Sequence, residues 1–370
     1  WGAMRMDPTD VADVNGSTYQ FLVNGHGPRD NWTALFAPGE RVRLRIVNAS
    51  AMSIFNVRIP GLGMTIVQAD GLNVVPLPVD EFQIGVAETY DVIVTPAADR
   101  AYSFIAEVND RSGMARATLA PRAGMTAEVP PLRKRPLATM KDMGMGAMGA
   151  DDAACTPEHA AMGHCTPAAD AGADHAAMGH GAGGMDHSMR DFSVAPQVKR
   201  DPSVQSISPM PVDRMGEPGQ GLEDVGHKVL TYRDLVALDR NPDVRAPSRS
   251  LDIHLTGNME RFMWSFDGVK MSDHHEPIPF IEGERVRVNL INDSMMVHPI
   301  HLHGHFFELV TGKGDRAPRK HTVIVQPGGI ATFDFTADAL GDWAFHCHLL
   351  YHMHAGMMRV VSVRPKEEAA

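Results

Sequence analysis

Apolar and polar residues alternate with a period of two over much of the first third of the chain. Residues 41–47 read Arg-Val-Arg-Leu-Arg-Ile-Val, and residues 19–23 form an apolar and aromatic run that ends at an Asn-Gly turn. Such alternation indicates strands with one face buried and the other in water. Shorter runs at 90–94 and 102–105 behave likewise. Residues 1–125 therefore predict a sandwich or barrel of short strands.

Residues 126–225 lose this alternation. Eight Met and five His fall within 140–189, among glycines and alanines with almost no β-branched or aromatic residues. Such a segment cannot bury enough apolar surface to fold alone, so we expect a disordered linker. Two functions are open for it, a plain tether or a copper-handling segment, because thioether and imidazole groups both bind copper. Cys155 and Cys165, which lie inside it, could bridge, bind metal or stay free.

Strand patterns return in residues 226–370, which begin with the run His-Lys-Val-Leu-Thr-Tyr. The chain thus divides into a first β domain (1–125), a Met/His-rich linker (126–225) and a second β domain (226–370). The sequence Gly-Glu-Arg-Val-Arg at 39–43 recurs at 283–287, which indicates that the two domains are copies of one β-sandwich.

The internal repeat also indicates which copy binds metal. At the offset of the repeat the first histidine-rich segment of the second domain falls opposite ordinary side chains of the first, and after a small gap the second segment does the same. The first-domain residues at these positions are Ile54, Val57, Ile59, Ile105, Ala106 and Glu107. We therefore expect the first domain to be a copper-free scaffold.

Composition excludes two classes of partner. The formal net charge is −11, and no long basic run is present, so nucleic acid is not an expected partner. No apolar segment approaches the ~18 residues of a membrane span. The high Met content, 24 residues, agrees with soft-metal chemistry.

Two short segments near the C-terminus carry the candidate metal ligands. One reads His-Pro-Ile-His-Leu-His from His298, and the other reads His-Cys-His-Leu-Leu-Tyr-His from His346, followed by a Gly-Met pair. A thiolate, imidazoles from both segments and a thioether are the ligands of a blue copper centre. Successive side chains of a strand leave by opposite faces. A strand with Cys347 between His346 and His348 can therefore bind one metal through Cys347 on one face and other metals through the two histidines on the opposite face.

Together the two segments resemble the paired C-terminal copper motifs of the multicopper oxidases. The resemblance implies an all-β chain of two cupredoxin-like Greek-key β-sandwich domains, joined by the disordered Met/His-rich linker, with copper as cofactor. The residues that resemble the type 1, electron-accepting ligands are His298, Cys347, His352 and Met357. His301 resembles a type 2 ligand, and the residues that resemble type 3 ligands are His303, His346 and His348.

The Met- and His-rich linker makes the chain similar to the periplasmic, CopA-type copper-resistance branch of that family. This resemblance implies periplasmic localisation and oxidation of Cu(I) ions or small phenolic substrates. Electrons would pass through Cys347 to His346 and His348, the catalytic connection, and O2 would be reduced to water. The family's N-terminal cupredoxin domain and the start of its second domain have no counterpart in this sequence. We therefore expect the chain to be inactive as an oxidase without them.

Two other classes of function are open. A single-copper electron carrier needs only one ligand set and leaves His301, His303, His346 and His348 without a role. A copper-sequestering protein would bind the metal through the linker without turnover. The number of copper ions bound per chain separates these alternatives.

Overall fold

The computed structural model describes residues 8–145, 189–273 and 275–366, and β-strands dominate these residues. The only α-helix among them, α1 (Leu350–His354), has five residues. None of the helices described is long and apolar enough to cross a membrane. The short 3₁₀ helices are Lys141–Met143, Tyr232–Asp234 and Gly314–Arg316.

The first domain is a sandwich of two sheets. One sheet has the strand order β1-β9-β8-β3-β6, in which β1 runs parallel to β9, and the other has the order β2-β7-β4-β5. Its strands are β1 (Thr33–Leu35), β2 (Val42–Val47), β3 (Phe55–Arg58), β4 (Met64–Ala69), β5 (Leu72–Val79), β6 (Glu81–Ile84), β7 (Thr89–Val94), β8 (Tyr102–Val108) and β9 (Met114–Ala120).

The second domain is also a two-sheet sandwich. Its sheets have the orders β13-β21-β20-β15-β18 and β12-β11-β14-β19-β16-β17, and β10 pairs with β19. Its strands are β10 (Val212–Asp213), β11 (Arg249–Asn258), β12 (Met263–Phe266), β13 (Ile278–Ile281), β14 (Arg285–Asn292), β15 (His298–Leu302), β16 (Phe307–Leu309), β17 (Arg319–Lys320), β18 (Thr322–Val325), β19 (Gly329–Thr336), β20 (Gly341–Cys347) and β21 (Met358–Arg364).

The all-β, cupredoxin-like fold predicted from the sequence is confirmed. The order β1-β9-β8-β3-β6 repeats as β13-β21-β20-β15-β18, and β2-β7-β4-β5 repeats as β14-β19-β16-β17. Among the described residues, only the second sandwich has a further hairpin, β11 and β12. It lies next to β14, the counterpart of β2. The two sandwiches are thus copies that differ at one sheet edge.

One part of the sequence repeat is corrected by the structure. Asn48 holds a turn by donating from Nδ2 to the backbone carbonyls of Ser53 and Ile84. Asn292 holds the equivalent turn by donating from Nδ2 to the carbonyls of Met296 and Val325. The first turn is one residue longer, so the register slips by one after it. His298, His301 and His303 therefore correspond to Phe55, Arg58 and Pro60, and not to Ile54, Val57 and Ile59. A slip of one residue exchanges the two faces of a strand.

The conclusion from the repeat survives this correction. Ala106 pairs with Val57 as Cys347 pairs with Ile300, so the second segment is registered as predicted. Among the corresponding residues of the first sandwich only Glu107 has a metal-binding side chain, and it forms ion pairs with Arg133 and Arg111.

The two sandwiches are in direct contact. Met52, Ile54 and Val86 of the first belong to the same buried apolar cluster as the core of the second. A buried ion cluster crosses the same boundary, because the Lys320 ammonium lies 3.0 Å from Asp70 and 3.2 Å from Glu88. Burial alone lowers the pKa of Lys320, but these carboxylates raise it above its usual range. The cation is therefore charged and joins the two domains.

Both ends of the predicted linker contact the sandwiches. Arg133 makes paired hydrogen bonds with Glu81 and also binds Glu107. At the other end, the Ser208 N–H donates to the side chain of Asp293. Residues 146–188, which include Cys155, Cys165 and, of the eight Met and five His in 140–189, four Met and all five His, lie outside the described residues.

Candidate metal centre

Two neighbouring strands bring the predicted ligands together. β15 and β20 pair antiparallel, with Ile300 opposite Cys347 and His301 opposite His346. His298 begins β15, Cys347 ends β20, and the chain then turns into α1, which carries His352. The short helix returns His352 to the side of the strand on which Cys347 lies.

His298, Cys347 and His352 form a compact, fully buried triangle of ligand atoms. The His298 Nδ1 lies 3.5 Å from the Cys347 Sγ, the Sγ lies 3.9 Å from the His352 Nδ1, and the two Nδ1 atoms are 3.2 Å apart. Among the described residues, no other group brings three such atoms within 4.8 Å of one another. A circle through the three atoms has a radius of about 2.1 Å, close to the ~2.0–2.3 Å bonds of a metal to imidazole and thiolate. The site therefore fits one soft or borderline metal ion.

Each imidazole of the triangle is fixed by a hydrogen bond at its second nitrogen. His298 donates from Nε2 to the Ser294 hydroxyl at 2.7 Å, and Ser294 in turn donates to Asn292. His352 donates from Nε2 to the Asp13 carboxylate, also at 2.7 Å. These bonds leave both Nδ1 lone pairs free for a metal. Asp13 belongs to the first sandwich, so the first sandwich helps to orient a predicted ligand of the second.

An apolar wall closes the triangle from water. The Trp264 indole stacks on His352 with ring centroids 3.8 Å apart, and Trp264 is fully buried. Gly257 faces it across the β11–β12 pair, where any Cβ would lie 2.5 Å from an indole carbon, so glycine leaves the necessary room. Burial lowers the pKa of His298 and His352, which keeps the imidazoles neutral, and raises the pKa of the Cys347 thiol. Without metal the site is therefore uncharged.

Met357 is also buried beside these residues. Its N–H donates to the carbonyl of His352, and its carbonyl accepts from the N–H of Cys347. The backbone of Met357 thus links two of the three ligands, and its side chain belongs to the same core cluster as Cys347. This location agrees with the expected thioether ligand.

A second group of four imidazoles lies behind β15 and β20. The Nε2 atoms of His303 and His346 are 3.1 Å apart, and the ring of His301 lies 5.6 Å from that of His348. His301 donates from Nδ1 to the carbonyl of His321, and His346 from Nδ1 to that of Cys347. The Nε2 atom of each of these two rings is therefore the unprotonated nitrogen, and that of His346 faces the Nε2 of His303.

The electrostatics of this group also suit metal binding. Burial lowers the pKa of His301 to about 3 and that of His346 to about 4. Neutral imidazoles that face one another are ready to share metal ions. All eight predicted ligand residues thus lie in two adjacent groups. Cys347 belongs to the first group, and the four imidazoles of the second group lie behind β15 and β20.

Several residues that hold the predicted ligands were not predicted from the sequence. Ser294 was visible in the repeat as the partner of Ser50, and an Asn-x-Ser turn directly before a ligand segment was a usable signal. Asp13 and Trp264 carried no local signal, because each acts from a segment far away in the sequence. Asp70 accepts the backbone N–H groups of His321 and Thr322 and thereby fixes the carbonyl that orients His301.

Comparisons with known proteins agree with this geometry. Residues 5–124 and residues 245–367 each match a family model described as multicopper oxidase. Copper resistance protein A homolog of Pseudomonas syringae pv. tomato is 50% identical over 98% of this chain and 61% of its own length. Copper resistance protein A of Escherichia coli is 50% identical over 98% of this chain and 62% of its own length. The chain thus spans about three-fifths of the length of these relatives.

Solved structures share the fold. Fet3p, described as a multicopper oxidase that functions in iron import, superposes with a TM-score of 0.56 at 17% identity, over 90% of this chain and 57% of its own. The laccase from Botrytis aclada gives a TM-score of 0.56 at 17% identity, over 90% of this chain and 53% of its own.

Proposed function

This chain belongs to the multicopper oxidase family, and from that premise we propose that it forms the electron-accepting part of a copper-resistance oxidase of the periplasm. Its substrates would be Cu(I) ions or small phenols, and its final electron acceptor O2. The observation that carries the proposal is the buried His298–Cys347–His352 triangle, because two imidazoles and a thiolate at this spacing are the donor set of a type 1 copper site.

The residues have distinct roles in this proposal. His298, Cys347 and His352 would hold the electron-accepting copper, and Met357 would be its weak axial ligand. His301, His303, His346 and His348 would hold part of a type 2 and type 3 cluster. Bound copper would supply one-electron acceptance on one side of the strand and O2 reduction to water on the other.

Cys347 joins the two groups covalently. It ends β20 between His346 and His348, so one peptide bond in each direction connects its residue to a ligand of the other group. Trp264 and the surrounding core exclude water from the thiolate. The Asp13 carboxylate accepts the hydrogen bond of the His352 Nε2–H, and would thereby keep the lone pair of Nδ1 directed at the metal.

The remaining cluster ligands would come from a further cupredoxin domain. The first sandwich cannot supply them, since Phe55, Arg58 and Pro60 stand where the second has His298, His301 and His303. The relatives are longer than the matched region, and we propose that polypeptide of this kind completes the cluster.

Copper titration of the purified 370-residue chain tests the proposal. We expect one tightly held copper per chain with the intense visible absorption of a copper–thiolate bond. Cys347→Ser should remove that absorption while circular dichroism stays unchanged. His303→Ala is the matched control on the opposite face, and it should keep the absorption. An absorption that persists in Cys347→Ser would overturn the assignment.

The same titration distinguishes the rival functions. A single-copper electron carrier would bind one copper even in a protein that carries the further domain, whereas the proposed oxidase would then bind additional ions that are lost on replacement of His301, His303, His346 or His348. A copper-sequestering protein would bind several ions that disappear together when the linker is removed, with no thiolate absorption at any stage.

A further inference from the structure

The start of α1 has no cap of its own. Leu349, which precedes the helix, is apolar and offers no side-chain acceptor to the first N–H groups. The helix reads Leu-Tyr-His-Met-His, and the side chains of Leu350 and Tyr351 are 37% and 45% exposed, so burial of its first side chains does not fix it. A helix of five residues is also too short to be stable alone. The position of α1 therefore depends on contacts with the rest of the protein.

The first sandwich supplies two acceptors at this point. The N–H of Leu350 donates to the Ala51 carbonyl at 2.9 Å, and the N–H of Tyr351 donates to the Met52 Sδ at 3.1 Å. Met52 is buried, and its side chain belongs to the apolar cluster that also contains Cys347. Two N–H groups that a helix leaves unpaired at its start are thus satisfied by the other domain.

These two acceptors coincide with the additional residue of the first turn. That turn closes between Asn48 and Ser53, five positions apart, whereas its counterpart at Asn292 closes over four positions. In both turns the hydroxyl two positions after the asparagine donates to that asparagine, so the additional residue follows this hydroxyl. It is therefore one of the pair Ala51 and Met52. The turn that precedes no ligand is longer at the place where it contacts α1.

The start of α1 determines where His352 lies. His352 is the third residue of the helix and directly follows Tyr351. Its Nε2 donates to Asp13, and its Nδ1 lies 3.9 Å from the Cys347 Sγ. A functional ligand must be held to within about 0.5 Å of its working position. A displacement of the Tyr351 backbone would move the ring of His352 relative to the other ligand atoms.

We propose that Met52 is a positioning residue for the electron-accepting copper and acts through the start of α1. Its Sδ, together with the Ala51 carbonyl, sets where the helix begins and hence the direction from which His352 offers its Nδ1. A thioether is a weak acceptor, and it satisfies the N–H of Tyr351 without placing a charge in the apolar cluster. This inference rests on the proposed type 1 copper site.

Met52→Leu tests the proposal, because it removes the acceptor and keeps an apolar side chain of similar volume. In the copper-free chain, we expect amide hydrogen exchange at Tyr351 to become about two- to tenfold faster, as the loss of one hydrogen bond predicts. In the copper-loaded chain, we expect the copper–thiolate absorption to persist with shifted maxima. The copper hyperfine splitting in the electron paramagnetic resonance spectrum should change with it.

Two further variants separate positioning from packing. Met64→Leu is the matched control, because Met64 is a buried methionine of the first sandwich that belongs to a different apolar cluster. It should leave both the exchange at Tyr351 and the copper spectra native. Met52→Gln returns an acceptor at nearly the same distance along the side chain. It should slow the exchange again and move the absorption maxima back towards those of the native chain.

The possible outcomes are distinct. Native exchange at Tyr351 in Met52→Leu would overturn the contact, and faster exchange with unchanged copper spectra would overturn the positioning role alone. A spectral shift of equal size in Met64→Leu would also overturn that role, because loss of packing would then be its cause. A native chain without copper–thiolate absorption would instead refute the proposed function, and with it the role of Met52 at the copper.

Discussion

Asp13 offers the sharpest test of how the two sandwiches cooperate at the metal site. Its carboxylate lies 2.7 Å from the Nε2 of His352, and it comes from the domain that has no copper ligands of its own. If this bond fixes the tautomer and orientation of His352, Asp13→Ala should weaken copper binding at the triangle without unfolding the protein.

The size of the effect can be estimated from the structure. Loss of a hydrogen-bonding partner behind a ligating His typically costs about 10- to 100-fold in metal affinity. The side chain of Asp13 is 15% exposed to solvent, so in the variant water can replace part of the lost hydrogen bond to His352. We therefore expect a loss near the lower limit, about tenfold, or about 1.4 kcal/mol. Asp13→Asn keeps a possible acceptor without the charge and should lie between Ala and the native residue.

The assay is competition for copper between the protein and a chelator of known affinity, followed by the copper–thiolate absorption. Asp99→Ala is the matched control, because Asp99 is an exposed carboxylate of the same sandwich that pairs only with Arg122 at the surface. An Asp13→Ala protein with native copper affinity and native absorption would refute the reasoning.

Four further results are expected. Purified residues 1–370 should bind copper yet consume O2 only at background rate, and four-electron reduction of O2 by this chain alone would contradict the proposed need for a further domain. Lys320→Met leaves the carboxylates of Asp70 and Glu88 buried without their cation and should destabilise the fold by about 3–5 kcal/mol in chemical denaturation. In that variant the folded state favours protonated carboxyls, so the deficit should shrink in acid and grow as the pH rises; a pH-independent deficit would argue against the ion cluster as its cause. Deletion of 147–187 in a protein completed by the further domain should slow Cu(I) oxidation at low copper and leave phenol oxidation intact; equal effects on both substrates would indicate a plain tether.

The sequence predicted the ligand residues because their chemistry is local. His346 and Cys347 end β20 and His348 follows directly, so the alternation of side chains along an extended chain is enough to place them on two faces. The all-β fold was likewise predictable, since a period-two pattern such as that of β2 indicates a strand with one face turned to the core. These inferences need no knowledge of which segments meet.

The register of the repeat and the supporting residues could not be predicted in the same way. The extra residue between Asn48 and Ser53 shifts the positions of β3 by one, and the two matching sets of hydrogen bonds reveal the shift. Asp13 reaches His352 across 339 positions of sequence, a contact that depends on how the domains pack. The expectation that the first domain is a scaffold is therefore incomplete, because this domain also supplies a group that orients a ligand.

The paired Asn-x-Ser turns have a consequence for the electron-transfer energetics of the site. The turn at Asn48 and Ser50 has the same hydrogen-bonding pattern as the turn at Asn292 and Ser294, although no ligand follows it. Its shape is therefore set by the chain and not by a metal. A site whose geometry is fixed by the protein resists the changes of coordination geometry that different oxidation states of a metal ion prefer. In the proposed type 1 site, such a frame would lower the reorganisation energy of each electron transfer.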